Sequence, residues 1–255
     1  MAVKAPRLSA RMWRPAVRGA VLSLVCVATG AVADPIVDAR YDGPTTRYPH
    51  GVLGDAVEHD TLVVRLASGQ ELRATWPDPI VFEDTHPRLV DLDGDETPEV
   101  MVVESHQQYG ARLAIWSVDQ GALTRLAQTP FIGTRYRWLA PVGAADLDGD
   151  GAVEVAYVDR PHLAKTLRVW RFERGGEEAS LSEIASKPGL TNHKIGQDYI
   201  TGGIRECGEG PEIVTADAQW QNIMVTRLID GNLVSRAVVP FDGQAAVKSV
   251  LSCKK

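Results

Sequence analysis

Two stretches of this chain are near copies of each other. Arg88-Leu-Val-Asp-Leu-Asp-Gly-Asp-Glu-Thr-Pro-Glu-Val-Met-Val-Val and Gly143-Ala-Ala-Asp-Leu-Asp-Gly-Asp-Gly-Ala-Val-Glu-Val-Ala-Tyr-Val lie 55 residues apart. Self-similarity at that period constrains the fold more than any other feature. A unit of this length buries its apolar face only against a neighbouring unit, so the chain must fold as an array. A looser copy runs from Gly203 to Ala216, where Glu212-Ile213-Val214 answers Glu99-Val100-Met101 and Glu154-Val155-Ala156, although the acids of the loop are gone. Leu53 to Glu58, followed by Thr61 to Leu66, is a candidate for a fourth, eroded copy.

Apolar runs of strand length follow each loop. They are Val100 to Val103, Arg112 to Val118 and Leu123 to Ala127 in one unit, and Val155 to Val158, Thr166 to Phe172 and Leu181 to Ala185 in the next. Rich in Val, Ile, Trp and Tyr and bounded by Gly, Pro, Asp and Asn, they read as strands, and no segment carries a sustained helical stripe. With a strand leading into each loop, a unit holds about four strands, the make-up of a propeller blade. The expected fold is all-β, a small β-propeller of about four to five antiparallel blades, with an open arc of blades as the structural alternative.

The first 33 residues stand apart. Lys4, Arg7, Arg11, Arg14 and Arg18 precede the apolar run Gly19 to Ala33, which ends in Ala31-Val32-Ala33, the layout of a secretory signal peptide. The expected division is therefore a signal peptide at 1–33 and a repeat domain at 34–255, in a periplasmic or secreted protein. Val25 before Cys26 is bulkier than a lipid-attachment signal tolerates, and no later stretch is apolar enough for a membrane helix. Loss of the leader takes the formal charge from −6 to −11, which argues against a nucleic-acid partner. Cys207 and Cys253 then remain, either as a bridge or as two free thiols.

The acidic loops carry the chemistry. Asp91, Asp93, Asp95 and Glu99, and again Asp146, Asp148, Asp150 and Glu154, fall at positions 1, 3, 5 and 9, with Thr97 and Ala152 at position 7 offering a backbone carbonyl. Alternate oxygens of a tight loop suit calcium, which takes six to eight hard ligands, and the ion would relieve the repulsion among the carboxylates. An EF-hand is excluded because position 12 is Val102 or Tyr157 and a strand follows. The alternative is that the Asp-Gly pairs serve only as turns. Glu96 replaces glycine at position 6 of the first loop, where positive φ is expected. The third loop, with Ile204, Glu206 and Gly208 at the ligand positions, is expected to bind nothing.

These loops, each leading into a Glu-Val strand, resemble the FG-GAP/VCBS repeats of integrin-like β-propellers and of bacterial exported proteins. The resemblance implies calcium bracing the blades without performing a reaction. Phe131 to Trp138, Asp159 to Thr166 and Gly189 to His193 are similar to segments of short bacterial VCBS-repeat proteins. Within them, Arg135-Tyr136-Arg137-Trp138 is a candidate platform for an anionic ligand, and His162 and His193, with Lys165 and Lys194, are candidates to converge on a central face. No nucleophile elbow, zinc helix or phosphate loop is present, so no catalytic residue and no organic cofactor is assigned. The expected function is a calcium-braced binding module of the cell envelope for a protein or glycan partner. The alternatives are a hydrolase or lyase acting on envelope polysaccharide and a structural subunit of a larger complex.

Overall fold

The computed structural model describes residues 1–2, 34–176 and 178–254, so the expected leader lies, apart from its first two residues, outside the described residues. The first sheet holds β1 (Ile36–Thr45), β2 (Glu58–Leu66), β3 (Glu71–Thr75), β4 (Ile80–Phe82), β5 (Arg88–Val90), β6 (Glu99–His106), β7 (Gly110–Asp119) and β8 (Ala122–Gln128). The second holds β9 (Leu139–Ala145), β10 (Glu154–Asp159), β11 (Thr166–Gly175) and β12 (Glu178–Pro188). The third holds β13 (Leu190–Thr191), β14 (Gly203–Glu206), β15 (Pro211–Asp217), β16 (Asn222–Ile229) and β17 (Asn232–Pro240), and α1 (Gly243–Leu251) follows it. No described helix is long and apolar enough to cross a membrane.

The strand runs read from the sequence all fall within strands, and the pairing is antiparallel. Three four-stranded meanders emerge: β5 to β8, β9 to β12, and β14 to β17. In each, the register between the last two strands shifts at one place, Ile115/Trp116, Val169/Trp170 and Ile223/Met224, recurring every 54 residues. Such a bulge sharpens the local twist and is a built feature of a sheet. The third copy, whose loop has lost its acids, keeps this backbone signature. The first segment departs from the pattern. β2 pairs with β1, β3 and β4, and β4 pairs in turn with β6, so the N-terminal strands run on into the second unit as one sheet.

Burial explains why the inner strands are continuously apolar. On β6, Val100 and Val102 pack with Leu62, Val64 and Phe82, whereas Met101 and Val103 pack with Leu139, Val155 and Tyr157. On β10, Val155 and Tyr157 belong to that second core, while Ala156 and Val158 join Leu167, Val169 and Ile213 in a third. Side chains alternate across a strand, so a strand between two cores needs apolar residues at every position. Each fully buried valine contributes about 1.5–3 kcal/mol. The outer strands β8 and β12 hold one buried residue between them, Ala127, and are otherwise exposed or half-buried.

The last core is closed by α1, an element the sequence reading did not expect. Val247 and Val250 of the helix are buried against Val214, Ile223 and Val225. Nine residues are too few to hold a helix in isolation, so packing must sustain it. Cys207, in the loop between β14 and β15, is bridged to Cys253 just beyond α1, with Cα atoms 5.7 Å apart. The bridge closes a loop of 46 residues, for which chain entropy gives about 2–4 kcal/mol. Cys207→Ser with Cys253→Ser is expected to lower the unfolding free energy by about that amount, read by denaturant titration. An unchanged midpoint would mean that the bridge does not constrain the unfolded chain.

Candidate functional site

Ligand atoms of Asp91, Asp93 and Glu99 lie within 4.8 Å of one another, and so do those of Asp146, Asp148 and Glu154. The loops fold around their first residue. The carboxylate of Asp91 accepts from the N–H groups of Gly94 (2.8 Å) and Glu96 (3.1 Å), and that of Asp146 from Gly149 (2.8 Å), Asp150 (3.1 Å) and Gly151 (3.0 Å). The ninth residue, buried at the head of its strand, accepts across the loop. Glu99 Oε2 takes the N–H of Leu92 at 3.0 Å and Glu154 Oε2 that of Leu147 at 2.8 Å.

Asp95 and Asp150 stand apart from these clusters, accepting from the N–H groups of Thr97 (2.7 Å) and Ala152 (2.9 Å) at the seventh positions. Position 6 is left-handed in both loops, with φ of 66° at Glu96 and 91° at Gly151. Glu96 adopts that turn at a cost of about 1–2 kcal/mol.

The loops differ in what neutralises them. Arg171, paired across the sheet with Glu154, donates to Glu154 Oε1 (2.8 Å) and Asp148 Oδ2 (2.7 Å) and lies 2.7 Å from Asp150. These carboxylates raise its pKa further. At the matching place beside Glu99 the chain has Ser117, because Trp116 pairs with Val100 as Trp170 pairs with Val155. The first loop receives only Arg174, at 2.6 Å from Asp93 and 3.7 Å from Glu99 Oε1.

Glu99 Oε1 is buried with no hydrogen-bond partner, and burial, reinforced by Asp93 and Asp95, pushes its pKa up to about 7. A buried oxygen without a partner, set among two more carboxylates, is what a hard divalent cation satisfies. The first loop therefore fits a metal once Arg174 leaves Asp93. The second fits one once Arg171 swings out.

The other two copies keep the buried glutamate and change its surroundings. Glu212 accepts from Arg205 (2.6 Å) and Arg236 (3.1 Å), and Glu206 turns back on its own loop to accept from Gly208 N–H (2.7 Å) and Gly210 N–H (3.2 Å). Glu58 is buried at the head of β2, and burial, with Glu83 next, drives its pKa up to about 9. It supports reading Leu53 to Leu66 as an eroded unit.

A second assembly gathers where the loops after β8, β10 and β13 meet, and here the structure brings together His162, His193 and the Arg135 to Trp138 segment. His162 Nε2 meets His193 Nδ1 at 3.0 Å, and His193 Nε2 meets the Gln197 carbonyl at 2.9 Å. Burial lowers both imidazoles, His162 to about 4, so both are neutral near pH 7. The carbonyl can only accept, so His193 carries its proton on Nε2. His193 Nδ1 then accepts from His162 Nε2–H, and His162 Nδ1 is left as a free acceptor.

Trp138 donates to the Glu83 carbonyl at 2.8 Å. The buried Glu83 carboxylate meets His50 Nδ1 at 2.5 Å and accepts from Ser105. His50 stacks on Tyr136 with ring centroids 5.0 Å apart. Neither His50 nor Glu83 was singled out from the sequence, because they sit in separate segments with no motif between them. The lysines go elsewhere: Lys165 donates to the Ala218 carbonyl, and Lys194 lies over Trp220 and Phe241.

Antiparallel four-stranded units, two of them with an acidic, metal-type loop between their first and second strands, define an all-β repeat protein. A model of the FG-GAP-like repeat matches residues 91–157, from the first acid of the first loop through the second loop into β10, and the chain is accordingly an FG-GAP repeat-containing protein. Comparison with curated proteins gives no match.

Glu58 supplies a pH test. Its folded pKa lies above the unfolded one, so its contribution is fully present below pH 4.5 and is lost as pH rises through about 9. Glu58→Gln, which keeps the neutral shape, is expected to leave the melting midpoint unchanged at pH 4 and to raise it by a few degrees at pH 8. Equal midpoints at both pH values would show that Glu58 ionises freely in the folded protein.

Proposed function

We propose that this protein is an exported, calcium-braced module of β-propeller type that binds a protein or glycan partner in the cell envelope. The orphaned Glu99 Oε1 amid Asp91 and Asp93 carries the calcium reading. In the first loop Asp91, Asp93 and Glu99 supply carboxylates, with Asp95 and the Thr97 carbonyl completing the shell after a small turn of the loop. In the second, Asp146, Asp148, Asp150, Glu154 and the Ala152 carbonyl take those roles in exchange for Arg171. Calcium supplies charge neutralisation and bracing there. In this reading the three meanders are blades, and the strands β1 to β4 supply a fourth.

Export is supported by the leader-like first 33 residues and by the Cys207–Cys253 bridge, since such bonds persist in oxidising compartments. A binding role is supported by the FG-GAP-like repeat and by a polar assembly on the loops, where recognition residues concentrate.

Residues 34–255, stripped with chelator, are expected to melt higher as calcium is added. At about 100 times the dissociation constant one site stabilises by about 2.7 kcal/mol, or about 5–10 °C here. Asp93→Ala should remove the larger share of the rise and Asp148→Ala the smaller, while Arg171→Gln should enlarge the second loop's share. A midpoint indifferent to calcium would reduce both loops to turns.

A further inference from the structure

Among the described residues every arginine except two lies within 4.0 Å of a carboxylate; the exceptions are Arg135 and Arg137. In a chain with so many acids, two guanidiniums kept clear of them are available to an outside anion. Arg135 lies on the Tyr136 ring, 4.4 Å from its centroid, and donates to the Tyr136 hydroxyl. Arg137, half-buried, donates only to the Tyr136 carbonyl at 3.2 Å.

The segment is braced from beneath. Tyr136 holds a left-handed φ of 57°, and its N–H donates to the hydroxyl of the buried Tyr48 at 2.9 Å. Ala111 N–H donates to the Arg137 carbonyl at 2.8 Å. Gly110 passes so close that a Cβ there would sit 2.3 Å from the Thr134 carbonyl oxygen. A non-glycine residue held in this conformation costs about 1–3 kcal/mol, and such strain collects at binding sites.

Arg137 opens onto a recess of about 30 Å³ shared with His50, Tyr136, Trp138, Arg160, His162 and Leu163. Arg160 is spoken for by Asp159, at 2.8 and 2.9 Å. That volume admits about one water-sized group, so a single oxygen of a ligand enters the recess and the remainder lies at its rim. His162 lines the same recess, and the relay through His193 leaves its Nδ1 as an acceptor, whereas the guanidinium only donates.

We infer that this recess binds the carboxylate of a small hydroxy acid, Arg137 holding the carboxylate and His162 Nδ1 accepting from the neighbouring hydroxyl. The carboxylate forms two parallel N–H···O bonds with the guanidinium, and the apolar flanks of Trp138 and Leu163 limit competition from water. The inference rests on the reading of this chain as a binding module but does not require calcium in the acidic loops.

Calorimetric titration of residues 34–255 in chelator separates the two readings. The probes are glycolate and D-glucuronate, with acetate supplying the carboxylate alone and glucose the hydroxyls alone. Glycolate or glucuronate is expected to bind about tenfold more tightly than acetate, and glucose not at all. Preference for glucuronate would identify a sugar acid, and preference for glycolate a free acid.

Arg137→Gln should weaken binding by about tenfold or more, with the melting midpoint retained. His162→Phe should reduce the hydroxy acid to the affinity of acetate. The inference falls if no acid saturates the protein below about 50 mM, if acetate equals both hydroxy acids, or if Arg137→Gln binds as the parent does. Loss of the calcium effect on melting leaves this test untouched.

Discussion

A strand that buries both faces must have a layer on each side of it, and the rest of this molecule follows from that requirement. β6 and β10 hand alternate side chains to two different cores. Neither of their sheets is stable alone, since each presents a second apolar face. The stack must therefore continue until something with one polar face ends it. At the C-terminal side that element is α1, whose Val247 and Val250 cover the last core. Terminal elements of repeat proteins have the same duty.

The second constraint is electrostatic. Each unit begins its inner strand with a buried glutamate, Glu58, Glu99, Glu154 or Glu212, and a buried carboxylate needs a proton, a cation or donors. The units meet that need differently. Glu58 is held neutral by burial, Glu99 keeps one oxygen without a partner, Glu154 takes Arg171, and Glu212 takes Arg205 and Arg236. The buried glutamate at the head of the inner strand is common to all four, and the variation lies in the counter-charge. In the calcium-braced reading proposed above, a single cross-strand change would set the metal affinity of one unit without disturbing the packing of its neighbours.

Much of this was legible in the sequence for a physical reason. Strands buried on both faces leave continuous runs such as Val100 to Val103, and a loop folded around one aspartate leaves acids at alternate positions. The third copy was visible through Glu212-Ile213-Val214 even without its acids. Arg171 was not, because its meaning comes from standing opposite Glu154 rather than near it in the chain; comparing it with Ser117 at the matching place would have given the signal. His50 and Glu83 meet only through the fold. The helix escaped because its nine residues are held by tertiary contact and not by an amphipathic pattern long enough to read.

The bridge between Cys207 and Cys253 clasps α1 to the very loop that carries acids in each of the two preceding units. That clasp has a consequence for how such an architecture can grow. A duplicated unit inserted before β14 would find a cut sheet face on both sides and leave the clasp intact. The same unit added after β17 would have to displace the helix and separate the two cysteines. Growth of the array by tandem duplication is therefore open in its interior and barred beyond β17.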